Sequence, residues 1–465
     1  MNKDPLYKIL SKNGDLLTPV GIFKRIKGDK KFLLESSIQH ETKGKYSFIG
    51  ANPIQEIIGS GNETTIINLK QNKQKTYKVN ALHYLKSKFP KFDLPIPFPF
   101  IGGAIGYVSY DIVRQFAMIG PELPDDLSMP DVHLMVYDTV VVYEHRTETT
   151  HIIALGLNEE SQDELHKRLT NIEKELETQV SMDTYPETNV SFQPQVTKND
   201  FIHQVKKAQH FIQTEGIEQI VISQRMVANL QDDPFSFYRQ LRVANPSPYM
   251  FFINFAEYTI IGASPESLVK TEKDTVITNP IAGTRPRGKT GEEDIAISKE
   301  LLQDKKELAE HEMLVALSQT DLEKLCVKNS ITTPIYKQIE KYEHVMHIVS
   351  EVHGTLRDDV SSIDALIACL PAGTVSGSPR IRAMQIINEI EHIRRGFYAG
   401  GVGYITFNHD INLAIAIRSL VVKNNKAYLQ TGAGIVAQSI PEKEYEETLH
   451  KAKSLTNLKG MRQLS

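Results

Sequence analysis

Two pairs of glutamates are the residues of this chain best suited to hold a hard cation. Glu307 and Glu310 lie in the stretch 304–321 (DKKELAEHEMLVALSQTD), and Glu444 and Glu447 lie in PEKEYEE, which begins at Pro441. Residues three apart on a helix project from one side. Each pair therefore offers its oxygens to a common point, and two pairs face to face make an oxygen-only site. Both stretches read as helices: Met313, Leu314, Leu317, Leu322 and Leu325 recur at helical spacing along the first, and Pro441 suits a first helical turn in the second. Taken singly, each pair also reads as the solvated face of a charged helix. The segments between the two helices are rich in glycine, hydroxyl and arginine residues and suit a small anionic ligand.

Three of those segments carry specific expectations. PAGTVSGS at 371–378 leads into a helix opened by Pro379 and carrying Ile381, Met384, Ile387 and Ile390. Free N–H groups at a helix start favour an anion, and Thr374 adds a hydroxyl. Arg418 falls inside a strand expected over 411–422, where an arginine among apolar residues needs an anionic partner. GAGIVA at 432–437 imitates a dinucleotide fingerprint, but no second parallel strand with a ribose-binding acid follows, so a Rossmann site is excluded. Its glycines still let a small ligand approach the backbone. PIAGTRPRG at 280–288 reads as a loop.

The elements that must position these residues are of mixed type. Strands are expected at 31–37, with Glu35 and Ser36 at the end, and at 46–50. A hairpin of two β-branched runs, 132–144 and 149–155, is followed by a helix with Leu165, Leu169, Ile172 and Leu176 on one face. The polar, aperiodic 178–196 separates an N-terminal region, 1–177, from a second region, 197–465. That second region opens with a helix at 200–214 closed by Gly216 and a strand beginning near Gln219, and continues with strands at 250–255, 259–262, 267–270 and 275–278. Helices and strands fall in blocks, which predicts an α+β fold and not a doubly wound one.

With 465 residues, 40% hydrophobic and 24% charged content and a net charge of −4, the chain has the composition of a globular protein without a nucleic-acid surface. Cys326 and Cys369 show no metal-type spacing and fit a reducing compartment. No secretory h-region or membrane-spanning run occurs, so a cytoplasmic location is expected.

In order along the chain, LLES, YSFIG, NPSPYMFF, PIAGTRPRG, KKELAEHEMLV, PAGTVSGSPR, RRGFYAGGVGY, AIAIRS, QTGAGIV and EYEETLHKA resemble the chorismate-utilising enzymes. Within that family they are most similar to the large, chorismate-binding subunits (component I) of anthranilate synthases. The resemblance spans nearly the whole chain and implies a sandwich of two antiparallel β-sheets flanked by helices. It implies Mg²⁺ held directly by Glu310 and Glu447 and through water by Glu307 and Glu444. Glu266, in ASPES, matches the acid that protonates the departing C4 hydroxyl of chorismate, and His347 matches the histidine tied to pyruvate loss. Gly283, Thr374, Tyr398, Arg418, Gly432, Gly434 and Lys451 match substrate contacts. Glu35, Ser36, Pro248, Tyr249 and Met250 match a regulatory tryptophan pocket. Ammonia would come from a glutamine amidotransferase partner, in a heterotetramer.

Two positions divide the family's reactions. Isochorismate and salicylate synthases carry a water-activating lysine where Gln219 stands, and aminodeoxychorismate synthases commonly carry a lysine where Ala282 stands. Both differences favour attack by ammonia at C2, with aminodeoxychorismate synthesis and a non-catalytic tryptophan sensor as the alternatives. The family's usual DLARND reads ALSQTD at 316–321, which keeps only Asp321 of its polar triad.

Overall fold

The computed structural model describes residues 4–36, 44–157, 160–180, 190–342 and 345–456. Its framework is two antiparallel sheets, each of 12 strands among the described residues. Successive strand residues point to opposite faces, and the sequence uses both. Phe32, Phe48, Phe251 and Ile253 pack between the sheets with Phe100, Tyr107, Leu134 and Leu413. Their neighbours Leu33, Ile49, Met250 and Phe252 face outward, where Leu165, Leu169, Phe235 and Phe237 of the flanking helices cover them. The expected α+β sandwich is therefore present, and its strands read as almost continuously apolar because both faces are buried.

The regions 1–177 and 197–465 share both sheets. Phe32–Glu35 pairs with Tyr249–Asn254 in one sheet, and Gly103–Val108 pairs with Gly401–Thr406 in the other. Within the stretch between the regions, Gln193–Pro194 adds two residues of edge strand against Met226 and Val227.

Three runs expected as simple elements are built differently. The 132–144 run is two strands, Val132–Tyr137 and Thr139–Glu144, in different sheets. Asp138 marks the corner, buried and paired with Arg168 at 2.6 Å and Lys70 at 3.0 Å. The 411–422 run likewise divides into Ile411–Ile415 and Ser419–Lys423, one in each sheet. Arg418 therefore sits on the crossover and not inside a strand, with φ +49. The 280–288 segment is not a loop: Ile281–Pro286 is a strand against Val345–Thr355, with its register broken between Ala282 and Thr284. Gly283 takes the extra position at φ +68, a conformation that suits glycine at a bulge.

Ile381 is 55% exposed and does not join the buried face of the Arg380–Ile390 helix, which is formed by Ala383, Met384, Ile386, Ile387 and Ile390. The GAGIVA stretch begins inside the antiparallel strand Lys426–Ile435, which pairs with Gln219–Asn229, so no helix starts at its glycines. The next helix is Pro441–Thr456.

Candidate active site

The site lies where paired strands change sheets. Tyr258–Ser264 belongs to one sheet and Ser267–Glu272 to the other, so Glu266 occupies a crossover, as Arg418 does. The two crossovers run side by side: Ile415 N–H donates to the Glu266 carbonyl and Ala263 N–H to the Arg418 carbonyl, both at 3.0 Å. A non-glycine residue in the left-handed region is uncommon and carries strain. Here it turns the Arg418 side chain out of the ladder. Among the described residues Arg418 has no ion pair, and burial lowers its pKa against the influence of Tyr398 and Glu447. A half-buried guanidinium so placed calls for an anion.

Glu266 is buried and accepts a hydrogen bond from the Thr374 hydroxyl at 3.0 Å. Burial pushes its carboxyl up to about 8, against the opposing effects of that hydrogen bond and of Lys451. At neutral pH it is a protonated acid with a proton to give. His347 lies in the strand Val345–Thr355, opposite Thr284. Its Nδ1 is 3.1 Å from the Gly283 carbonyl and 3.0 Å from the Thr284 hydroxyl. Burial brings it down to about 4. The ring is thus neutral at pH 7; with Nδ1–H donated to the carbonyl, Nε2 is left as a free base.

The four glutamates stand on two helices, Lys305–Glu323 and Pro441–Thr456. Asp304 caps the first by accepting from Lys306 N–H and Glu307 N–H. Lys306 and Lys451 each act on both Glu310 and Glu444, so the two helices bring their acids within reach of the same two lysines. Burial, then Glu307, raises the pKa of Glu310; burial raises that of Glu444, with Glu447 adding to it and a Ser439 hydrogen bond opposing it. Crowded carboxylates in partial burial are what a hard cation would relieve. Glu307 meets Arg285 at 3.4 Å and Glu447 meets Lys451 at 2.8 Å. Among the described residues, no three acid, histidine or cysteine side chains converge closely enough to hold a metal by themselves.

Gln219, at the start of its strand, reaches Glu310 with its amide at 3.5 Å. Gly434 and Gly432 make room for side chains: a Cβ at 434 would collide with the Gln219 amide, and one at 432 would stand 2.7 Å from the Tyr398 hydroxyl. Lys451 donates to the Gly432 carbonyl at 2.9 Å.

Sequence reasoning missed two supports. Asp321 receives both terminal nitrogens of Arg380, Nη1 at 2.9 Å, which fastens the acidic helix to the segment bearing Thr374. Glu391 binds Arg395 at 2.7 Å and the Ser223 hydroxyl at 2.8 Å, and the Arg395 guanidinium lies 5.6 Å from the Tyr398 ring centroid. The acid-to-arginine spacing of four in EHIRR was a legible clue to this second group.

The tryptophan-pocket residues are divided by the strand they share. Glu35 and Met250 are cross-strand partners and so share one face. Tyr238 and Arg242 donate to Glu35 Oε2 at 2.5 and 2.8 Å, whereas Oε1 is buried with no hydrogen-bond partner among the described residues. Ser36 follows directly and Pro248 is buried nearby in sequence. Tyr249 points the other way and packs against the core between the sheets.

The double-sheet sandwich thus carries, at and beside its strand crossovers, a buried acid, a neutral histidine, an arginine with no ion pair among the described residues, and two glutamate pairs. Residues 29–457 match the family described as chorismate binding enzyme, and the chain belongs to that family. It is 41% identical over 458 residues to anthranilate synthase component 1 of Acetivibrio thermocellus, covering 95% of this chain and 92% of that one. It is 40% identical to the protein of that name from Lactococcus lactis, over 97% of this chain and 99% of the relative. The crystal structure of anthranilate synthase component I from Streptococcus pneumoniae TIGR4 superimposes with a TM-score of 0.83 at 39% identity, over 96% of this chain and 98% of that one. The menaquinone-specific isochorismate synthase of Escherichia coli, at 18% identity, shares the fold with a TM-score of 0.72 over 98% of this chain and 96% of its own.

Proposed function

We propose that the chain converts chorismate and ammonia to anthranilate and pyruvate through 2-amino-2-deoxyisochorismate, at the entry to tryptophan synthesis. The observation that carries this reading is the pairing of a buried protonated acid, Glu266, with a neutral amide, Gln219, where water attack would need a base. Glu266 gives its proton to the C4 oxygen, which leaves as water while the ammonia lone pair forms the bond to C2 and both ring double bonds shift, from C1–C2 to C1–C6 and from C5–C6 to C4–C5. Neutral His347 then serves the loss of pyruvate. Arg418, Tyr398, Lys451, Thr374 and the backbone at Gly283, Gly432 and Gly434 orient the carboxylates and the enolpyruvyl group.

Mg²⁺ is the proposed cofactor, with Glu310 and Glu447 as direct ligands and Glu307 and Glu444 acting through water. When bound, it neutralises a substrate carboxylate and positions the ring. Few protein ligands, with water and substrate completing the shell, suit this ion. The test is to incubate the purified chain with chorismate, ammonia and Mg²⁺ and identify the aromatic product. The ortho isomer is expected; a para-amino product, or full activity in chelator, overturns the reading.

A glutamine amidotransferase subunit is the proposed ammonia source, in a heterotetramer, and the setting is cytoplasmic. Cys326 and Cys369 are both buried, and burial pushes the Cys369 thiol up to about 12 and raises Cys326 as well. A glutaminase needs an accessible, activated thiolate. Ammonia should therefore sustain turnover by the chain alone, whereas glutamine should require the partner. Glutamine-dependent synthesis by the single purified chain would refute this.

Tryptophan is the proposed inhibitor. The unpartnered Glu35 Oε1 suits the ligand's ammonium, Ser36 its orientation, and Pro248 and Met250 its indole. Coupling of about 1–3 kcal/mol changes affinity roughly 5- to 150-fold and is reciprocal. Ser36→Phe should keep turnover and lose tryptophan inhibition, measured with chorismate varied; equal inhibition of variant and wild type would remove the assignment. With no tryptophan in the chain, ligand fluorescence reports binding directly.

A further inference from the structure

Glu266 has a second side. A cavity of about 50 Å³ is bordered by Glu266 and Thr374 and also by Ser267, Thr278, Ser318 and Asp321. Of the residues placed in the reaction, only those first two border it: Gln219, Tyr398, Arg418, Lys451, His347 and the four metal-site glutamates are not among its walls. The volume holds on the order of three waters and is too small for a substituted six-membered ring. Its chemistry suits water as well. Ser267 and Thr278 carry buried hydroxyls with no hydrogen-bond partner among the described residues, a costly arrangement that water in the adjoining space would relieve. Ser318 and Asp321, on the acidic helix, are partly exposed while Glu266 is buried, so the cavity runs from the acid toward solvent. The Asp321–Arg380 pair fixes that outer end.

We propose that this cavity receives the water released from C4 and returns a proton from solvent to the Glu266 carboxyl. The inference rests on the acid role given to Glu266 above. The proton balance closes. Glu266 O–H supplies one proton to the C4 oxygen, whose bond to carbon breaks with its electron pair. The ammonium formed at C2 releases one proton to solvent, and Glu266 regains one through the cavity. The arrangement also serves specificity. Gln219, which lies beside Glu310 and Gly434, is not among the cavity walls, so the released water is drawn into a space separate from that amide.

The test is to fill the space and, separately, to remove a wall hydroxyl. Ser318→Leu should lower kcat roughly tenfold or more at unchanged KM for chorismate and ammonia. It should also raise the solvent deuterium isotope effect on kcat, as proton return becomes limiting. Ser318→Ala, which leaves the space open, should lose less. Thr278→Val, an isosteric change, should raise the isotope effect in the same direction and decides the matter if Ser318→Leu does not fold. An unchanged kcat and isotope effect in correctly folded variants overturns the proposal. A raised KM at constant kcat also overturns it, because the cavity would then belong to the chorismate pocket. A wild type that makes no aromatic product would instead defeat the functional reading itself.

Discussion

Glu266→Gln is expected to lower kcat for anthranilate formation by about 10²- to 10⁴-fold at pH 7, the range spanned by positioned general acids, with little change in KM for chorismate. The glutamine keeps the shape and accepts the Thr374 hydroxyl bond but has no proton to give. The pH dependence follows from the acid being active when protonated. With burial holding its pKa at about 8, wild-type turnover should fall as pH rises through that value. Stability has the same sign. The folded-state pKa lies above the unfolded one, so the protonated carboxyl is accommodated in full below about pH 4.5, and stability is lost as pH rises through about 8. At about 1.4 kcal/mol per pH unit between 4.5 and about 8, the ionised group costs on the order of 5 kcal/mol above that window. Glu266→Gln should therefore be the more heat-stable protein at pH 9 although it is nearly inactive. A variant that keeps wild-type kcat, or a wild type whose activity climbs steadily through pH 9, removes Glu266 from the acid role.

The sequence made the acidic helices legible because their spacing is a local property: a residue three positions on always shares a helix side, whatever the tertiary fold. The 371–378 segment, expected as a loop, instead holds the short helix Gly373–Ser376 and the strand Gly377–Ser378, which pairs with Gln219 and Ile220. The crossovers were not legible. Runs 132–144 and 411–422 are predominantly apolar on both sides of Asp138 and Arg418, and nothing local in AIAIRSLVV says that the chain leaves one sheet and enters the other at Arg418. That turn is imposed by the neighbouring crossover through Glu266, over 150 residues away in sequence, since 418 − 266 = 152. The strand at Ile281–Pro286 was hidden for a related reason, because its prolines and glycines signal a loop. A sheet edge and a bulge accommodate them once Val345–Thr355 supplies the partner. Tyr249 shows the limit of grouping residues by motif: it is adjacent to Met250 in sequence and on the opposite face in space. The fold was recognisable through the ordered set of motifs, while the burial that raises the Glu266 pKa is carried by no local pattern.

Removal of the Glu310 carboxylate should have the second large effect, and it separates a metal ligand from a merely structural acid. Glu310 is held between Glu307 and the Gln219 amide, and burial raises its pKa. Without a cation, ionised Glu310 is a burden on the fold; the contribution of its protonated form is fully present below the unfolded value and is lost as pH rises through the raised folded value. Glu310→Gln should therefore unfold at an equal or higher temperature than wild type in chelator at pH 8. Mg²⁺ should reverse the order by stabilising wild type through binding to the folded state alone, while shifting the variant little. Turnover should fall by roughly 10²-fold or more, because neutralising a substrate carboxylate is worth several kcal/mol. The thermal comparison does not depend on activity, so an inactive variant that still gains as much stability from Mg²⁺ as wild type would show that the ion binds elsewhere. Full turnover by Glu310→Gln would dissolve the metal assignment of the first helix and leave its two glutamates as the charged face that their sequence alone also allowed.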